Sequence, residues 1–120
     1  MNASELWHNA LDEHNRKDYH EAHEIFEDLW LELDNRTEKD TVQTLAQADA
    51  LAVHLETGNL RAAQRLMRQL PELVQTFPDT YRNVNLKKMK EWINFMIAQI
   101  PPFGEIKNIS KKEPPKLIHS

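Results

Sequence analysis

The chain has 120 residues, of which 40% are hydrophobic and 28% are charged, with two glycines and no cysteine. This length allows one domain with one core, and so few glycines disfavour an all-β fold with many tight turns. A net charge of −4 gives no basic field for phosphates or anionic lipids, so we expect neither nucleic acid nor membranes as partners. Without cysteine, a metal would have to bind through nitrogen and oxygen atoms.

The N-terminal stretch MNASELWHNALDEHNR is polar and acidic, unlike the basic and then apolar pattern of a secretory signal. No apolar run approaches the length of a membrane span. The sequence therefore predicts a soluble, cytoplasmic protein.

Two helices are predicted at the start of the chain. The first covers about 5–16, with Ser4 as its N-cap and an apolar stripe that His14 continues. The second runs from about 19 to 34, because Asp18 and Glu21 have the spacing of a capping box. The residues at 35 and 36 are expected to end it, and the short turn between the helices predicts an antiparallel hairpin.

A second hairpin is predicted from the next part of the chain. Thr37 and Asp40 begin the third helix, and Gly58 ends it by supplying a left-handed residue. Asn59 caps the fourth helix, which Pro71 either kinks or separates from a short further turn. The sequence thus predicts an all-α fold of about five helices, with two hairpins and a packed C-terminal helix.

The end of the chain divides into a loop, a helix and a tail. The stretch FPDTYRNVN is predicted as a loop, and Asn85 caps a last helix that Pro101 stops. Residues 104–120 are rich in lysine and proline and have few large aliphatic side chains, so we expect a flexible tail beyond a helical domain of residues 1–103. Such a tail should be dispensable for folding.

The most polar helical stretch is HEAHEIFEDLW, residues 20–30. On a helical wheel His20 and Glu24 lie opposite the core face, whereas His23, Glu27 and Trp30 form one strip at its boundary. His23 and Glu27 could share a proton, hydrogen-bond a neighbouring helix or bind one cation. Trp30 could instead be an ordinary core aromatic whose indole N–H donates to a carbonyl.

At these residues the chain resembles the prokaryotic domain of unknown function 309 family. The resemblance rests on the pattern H-x-x-x-E-x-x-W, here His23, Glu27 and Trp30, followed by QTLAQADALAVHLETGNLRAAQRLM. It extends from about Leu11 to Ile97. It implies an all-helical fold without an established function, and a metal-binding role that has been proposed for the motif.

The resemblance also covers the third helix. Gln43 and Gln47 match a Q-x-L-x-Q pattern, and His54 matches a histidine before the glycine–asparagine turn. Asp49 departs from the family pattern, in which an apolar residue is more usual. The three matching residues share one strip that can meet His23, although His54 could simply interact with the C-terminal helix dipole.

Three classes of function follow, and the first is binding of a divalent metal or a small ligand. Its candidate metal ligands are His23, Glu27 and His54, and its candidate ligand contacts are Trp30, Gln43 and Gln47. The second class is a protein-interaction module, or a homo-oligomer, because DYHEAHEIFEDL and NLRAAQRLMRQL form a faint repeat and GNLRAAQRL resembles tetratricopeptide-type hairpins. The third is enzymatic activity, for which the sequence has no nucleophile elbow, phosphate loop or zinc-protease motif.

Overall fold

The computed structural model describes all residues, 1–120, and confirms the all-α class. It has six helices and three two-residue strands: α1 (Ala3–Asn15), α2 (Tyr19–Glu32), α3 (Arg36–Thr57), α4 (Leu60–Leu66), α5 (Leu70–Gln75), β1 (Thr80–Tyr81), β2 (Val84–Asn85), α6 (Lys87–Gln99) and β3 (Ile118–His119). The sixth helix arises because Pro71 lies in the first turn of a separate short helix, where its missing N–H and fixed φ are tolerated.

The helix ends follow local capping chemistry. The Asp18 side chain accepts a hydrogen bond from the Glu21 amide, as predicted, and Asn59 caps α4 in the same way. Gly58 ends α3 with φ of 73°, in the left-handed region that favours glycine. Three helix starts differ from the prediction: Asn2, rather than Ser4, caps α1, and Asn35 caps α3 instead of ending α2. Leu86, rather than Asn85, is the N-cap residue of α6, and it makes no side-chain cap.

Helix α2 occupies the centre of the fold. It forms a hairpin with α1 and packs along α3 on its other side, whereas α3 also contacts α4 and α5, and α5 contacts α6. The α2 residues Ala22, Phe26 and Leu29 are completely buried. Because one face of α2 must fill this position, its orientation about its own axis is fixed, and so is the direction in which its polar strip points.

The segment predicted as a loop contains a β-hairpin instead. Strands β1 and β2 are antiparallel and are joined through Arg82 and Asn83, which have φ of 46° and 65°. Two residues with positive φ produce the twist that a two-residue hairpin needs. Strand β3 pairs antiparallel with β2, so that Val84 faces His119 and Asn85 faces Ile118.

The last residues of the chain, 112–120, lie against the helices, and we call them the C-terminal strap. Leu117 is only 3% exposed, and both its N–H and its carbonyl oxygen are hydrogen-bonded by the side chain of Asn15. The Trp92 indole N–H donates to the Lys112 carbonyl oxygen at 2.8 Å. The flexible tail was predicted from the scarcity of apolar side chains, whereas the strap is held in part by hydrogen bonds to its backbone. A domain boundary at residue 103 stays a prediction.

None of the helices is both long and apolar enough to cross a membrane.

We predict that Leu117→Ala lowers stability by about 2 kcal/mol, because it removes a buried aliphatic group from the core. Thermal unfolding followed by circular dichroism measures the change. The matched control is the neighbouring Ile118→Ala, whose side chain is 62% exposed and whose loss should change the melting temperature little.

For the same reason, truncation after Phe103 should lower the melting temperature by several degrees while the helical signal is retained. Equal melting temperatures for the full and truncated chains would mean that residues 104–120 do not contribute to folding.

Candidate functional site

His23, in the polar strip of α2, makes two polar contacts, one with α3 and one within α2. Its Nδ1 lies 2.8 Å from the carbonyl oxygen of Ala46 on α3, and its Nε2 lies 2.7 Å from Glu27 Oε1. A carbonyl oxygen can only accept, so Nδ1 carries a hydrogen and donates it. The ring is therefore oriented by α3, with Nε2 directed at the carboxylate.

The contact between His23 Nε2 and Glu27 Oε1 requires an additional proton or a cation between the two atoms. When Nδ1 carries the hydrogen of a neutral imidazole, Nε2 is a lone pair, and a carboxylate oxygen at 2.7 Å is also an acceptor. A second proton on the ring, or a cation shared by both atoms, makes this contact favourable. The same geometry therefore suits an ion pair and a metal site.

A groove of about 430 Å³ opens beside these two residues. It is lined by side chains of α2, α3 and α4, which are His23, Glu27, Trp30, Leu31, Gln43, Ala46, Gln47 and Leu66. Gln43 and Gln47 thus lie where the sequence placed them, next to the α2 strip. His54, the third residue of the predicted α3 strip, is not among the lining residues.

Glu24 belongs to the cluster, although the sequence analysis assigned it to the solvated face. One ligand atom each from His23, Glu24 and Glu27 lies within 4.8 Å of the others. Glu24 is exposed, in agreement with the helical wheel, but a long side chain can reach a neighbouring residue without being buried. The stretch HEIFE is the sequence pattern that could have indicated this cluster, because it places carboxylates one and four residues after His23.

His54 lies in the last turn of α3 and is not a member of this group of ligand atoms. Partial burial lowers its pKa, and the positive charges of Arg65 and His23 lower it further. A neutral imidazole can bind metals and accept protons. The role of His54 as a metal ligand stays a prediction.

Trp30 and Gln47 contribute buried polar atoms that have no hydrogen-bond partner. The Trp30 indole N–H donates to nothing, so the carbonyl partner expected for a core aromatic is absent. Lys39 Nζ lies 3.7 Å from the centre of the Trp30 ring and donates to the Trp30 carbonyl oxygen. Gln47 donates to Gln69 Oε1 at 2.6 Å, while its own Oε1 is unpaired. One donor and one acceptor of residues that line the groove are thus unsatisfied, and both atoms are buried from solvent.

A second polar cluster is buried between α1, α3 and the C-terminal strap. His14 Nδ1 lies 2.7 Å from Asp49 Oδ1, and His14 Nε2 lies 2.8 Å from the Pro115 carbonyl oxygen. Burial alone lowers the pKa of His14, but the hydrogen bond and charge of Asp49 and the Pro115 carbonyl outweigh it, so the pKa is raised. Burial also raises the pKa of Asp49, although His14 acts against it.

This pair explains the unusual aspartate of α3. Asp49 is fully buried on a helix face where an apolar residue was expected, and a buried carboxylate requires a paired partner. His14, which the sequence analysis assigned to the apolar stripe of the first helix, supplies that partner. The two residues are far apart in the chain, so no local pattern connects them.

The fold and this groove define a class: a small all-helical protein with a histidine–carboxylate cluster on one helix, beside its contact with the next helix. The family described as a domain of unknown function, DUF309, matches residues 7–66, half of the chain. The chain belongs to this family. The match covers α1 to α4 and so includes every residue of the groove. Neither the curated proteins nor the solved structures gave a significant match.

The two clusters should differ in their effect on stability. We predict that Asp49→Ala destabilises the protein by about 3 kcal/mol or more, because it leaves His14 buried without its partner. Glu27 is 58% exposed at its side chain, so Glu27→Ala should cost at most about 1 kcal/mol. Urea unfolding of the two variants measures both losses of unfolding free energy. Similar losses at the two positions would contradict the prediction that the buried pair matters more for stability than the exposed one.

Proposed function

We propose that the protein binds one divalent first-row metal ion through His23, Glu24 and Glu27. The observation that carries this proposal is the hydrogen bond from His23 Nδ1 to the Ala46 carbonyl oxygen. Metal-binding histidines commonly donate their second ring N–H to such an acceptor, which fixes the tautomer and directs the other nitrogen at the metal. Here that other nitrogen is directed at the carboxylates.

The donor set suits a metal of intermediate softness. One imidazole nitrogen and two carboxylate oxygens are compatible with Zn²⁺, Mn²⁺ or Fe²⁺. Metal–ligand bonds of about 2.1 Å place tetrahedral ligand atoms about 3.4 Å apart, so the 2.7 Å contact between His23 and Glu27 would open by less than about 1 Å. Both carboxylates are on exposed side chains, which can make this adjustment.

The groove beside the metal would hold water or a small ligand. Three protein atoms leave at least one coordination position open, as in catalytic rather than structural metal sites. Gln43 lines the groove, whereas the unpaired Gln47 Oε1 and Trp30 indole N–H are buried and would contact a ligand only after a shift of their side chains. We assign these three residues to ligand contacts and orientation. His54 remains in the proposal as a further metal ligand. Burial and the charges of Arg65 and His23 lower its pKa, which favours the neutral imidazole that a metal requires.

A protein-interaction role is the second candidate, and one observation favours it. Leu31 forms part of the groove wall and is 71% exposed, and an exposed leucine beside Leu66 and Trp30 gives the groove an apolar rim that a partner protein or a second copy could cover. We also propose a cytoplasmic location, and the net charge of −4 supports partners other than nucleic acid and anionic membranes.

The metal proposal predicts about one tightly bound divalent ion per chain. Chelator-free protein is analysed for metals, and the metal-free protein is then titrated with Zn²⁺ and Mn²⁺ by calorimetry. We expect His23→Gln and Glu27→Gln each to weaken binding by at least about tenfold, because each removes a charged or strongly coordinating ligand.

Asp28→Asn is the matched control, because it removes a carboxylate from the exposed surface of the same helix outside the cluster. It should leave the affinity unchanged. Unaltered affinity in the His23 and Glu27 variants, or no binding of either metal by the wild type, would refute the metal site. A loss of self-association in Leu31→Ser, with metal binding intact, would support the second candidate.

A further inference from the structure

The C-terminal strap is attached to the helices mainly through its backbone. The side chains of Trp92, His14 and Asn15 hydrogen-bond the backbone of residues 112, 115 and 117, respectively. At the end of the strap, β3 pairs with β2 and the Ser120 amide donates to the Asn83 carbonyl oxygen. Among these three side chains, only His14 can change its protonation between pH 5 and 8 when unperturbed.

The ring of His14 is placed between two acceptors. Nε2 faces the Pro115 carbonyl oxygen, which cannot donate, and Nδ1 faces a carboxylate oxygen of Asp49. A neutral imidazole has one N–H, so both contacts are hydrogen bonds only when the pair holds one additional proton, on the ring or on the carboxyl group. When that proton is lost, one of the two contacts places a lone pair of nitrogen against a lone pair of oxygen, and the hydrogen bond is lost.

The contact with the strap is the one that would be lost. The remaining N–H hydrogen-bonds more strongly to a carboxylate than to a neutral carbonyl, and Asp49 is on a helix whereas Pro115 is on an irregular segment. We propose that the His14–Asp49 pair is a pH-dependent latch for the C-terminal strap, closed when the pair holds the additional proton and open when it has lost it.

The groups around the His14–Asp49 pair influence how strongly it holds its additional proton. Tyr19 of α2 packs edge-on against the His14 ring, with centroids 5.4 Å apart. The other charges nearby are those of His23 and Glu56, which act on Asp49 and Tyr19 respectively, and Glu113 of the strap, which acts on Tyr19 and pairs with Lys17. Burial raises the pKa of Asp49, and the charges of its partner His14 and of His23 act against this rise without cancelling it.

The sign of the pH dependence follows from linkage. The hydrogen bond to the Pro115 carbonyl oxygen is one of the causes that raise the pKa of His14, and it exists only while the strap is attached, so this contact favours the protonated pair in the attached state. The stabilisation by this contact is therefore present while the pair holds its additional proton and is lost as the pH rises through the raised pKa of His14. The latch opens towards alkaline pH.

The test follows the ring of His14 and the strap together in the full chain. NMR of histidine-labelled protein reports the His14 protonation, while hydrogen-exchange protection factors of the Trp92 indole N–H and the Leu117 amide report attachment of the strap. We expect both protection factors to fall by roughly tenfold or more at the pH where His14 loses its proton. The amides of α3 should stay protected.

Asp49→Asn is the decisive variant. Its side-chain amide can donate to Nδ1 of a neutral His14, which leaves the Nε2 hydrogen for Pro115, so the strap should stay attached across the alkaline range. His20→Gln removes an exposed histidine outside the latch and should leave the wild-type transition unchanged.

Three results would overturn the proposal. One is a strap that stays protected after His14 has lost its proton. Another is a His14 that keeps its proton up to the pH at which the helices unfold. The third is loss of strap protection at the same pH in the wild type and in Asp49→Asn, provided that circular dichroism shows the variant to be folded.

Discussion

The fold depends on the requirement that α2 bury one face between two helices. Ala22, Phe26 and Leu29 are fully buried in that position, and small and large apolar groups must interlock there at the density of a protein interior. Rotation about the α2 axis would expose them, so the helix has one allowed orientation. That orientation places His23 at the edge of the α2–α3 contact, within hydrogen-bond distance of the Ala46 carbonyl oxygen. Hydrophobic packing thus determines where the polar chemistry occurs.

Polar groups in the second cluster follow a different constraint. An ionised carboxylate without a partner is costly to bury, and Asp49 Oδ1 has its partner in His14 while Oδ2 has none. The strap excludes water from the pair and supplies the Pro115 carbonyl oxygen to its far side. An apolar pair of similar volume would pack here without these demands, and often without loss of stability. In our proposal, the polar pair makes attachment of the strap depend on the protonation of His14 and Asp49.

The sequence predicted those parts of the fold that are encoded locally. Asp18, Gly58 and Asn59 act within a few residues of their own positions, so capping rules identify them. The strip of His23 and Glu27 was found because a helical wheel needs only one helix. Contacts between distant residues were missed: Asn15 and Leu117 are 102 positions apart, and His14 and Asp49 are 35 apart. Composition could not reveal them, because a proline-rich segment can be held through its backbone.

The two clusters are joined through one turn of α3. Ala46, which orients His23, and Asp49, which binds His14, are three positions apart and are therefore neighbours on the surface of the same helix. The residues matched to the family include both of these positions, whereas the strap lies beyond the match. The groove therefore belongs to the part of the chain shared with the family, and the cover of the buried pair is supplied by a segment outside it. The two clusters share no side chain, but they are coupled through charge, because His23 lowers the pKa of the Asp49 carboxyl group.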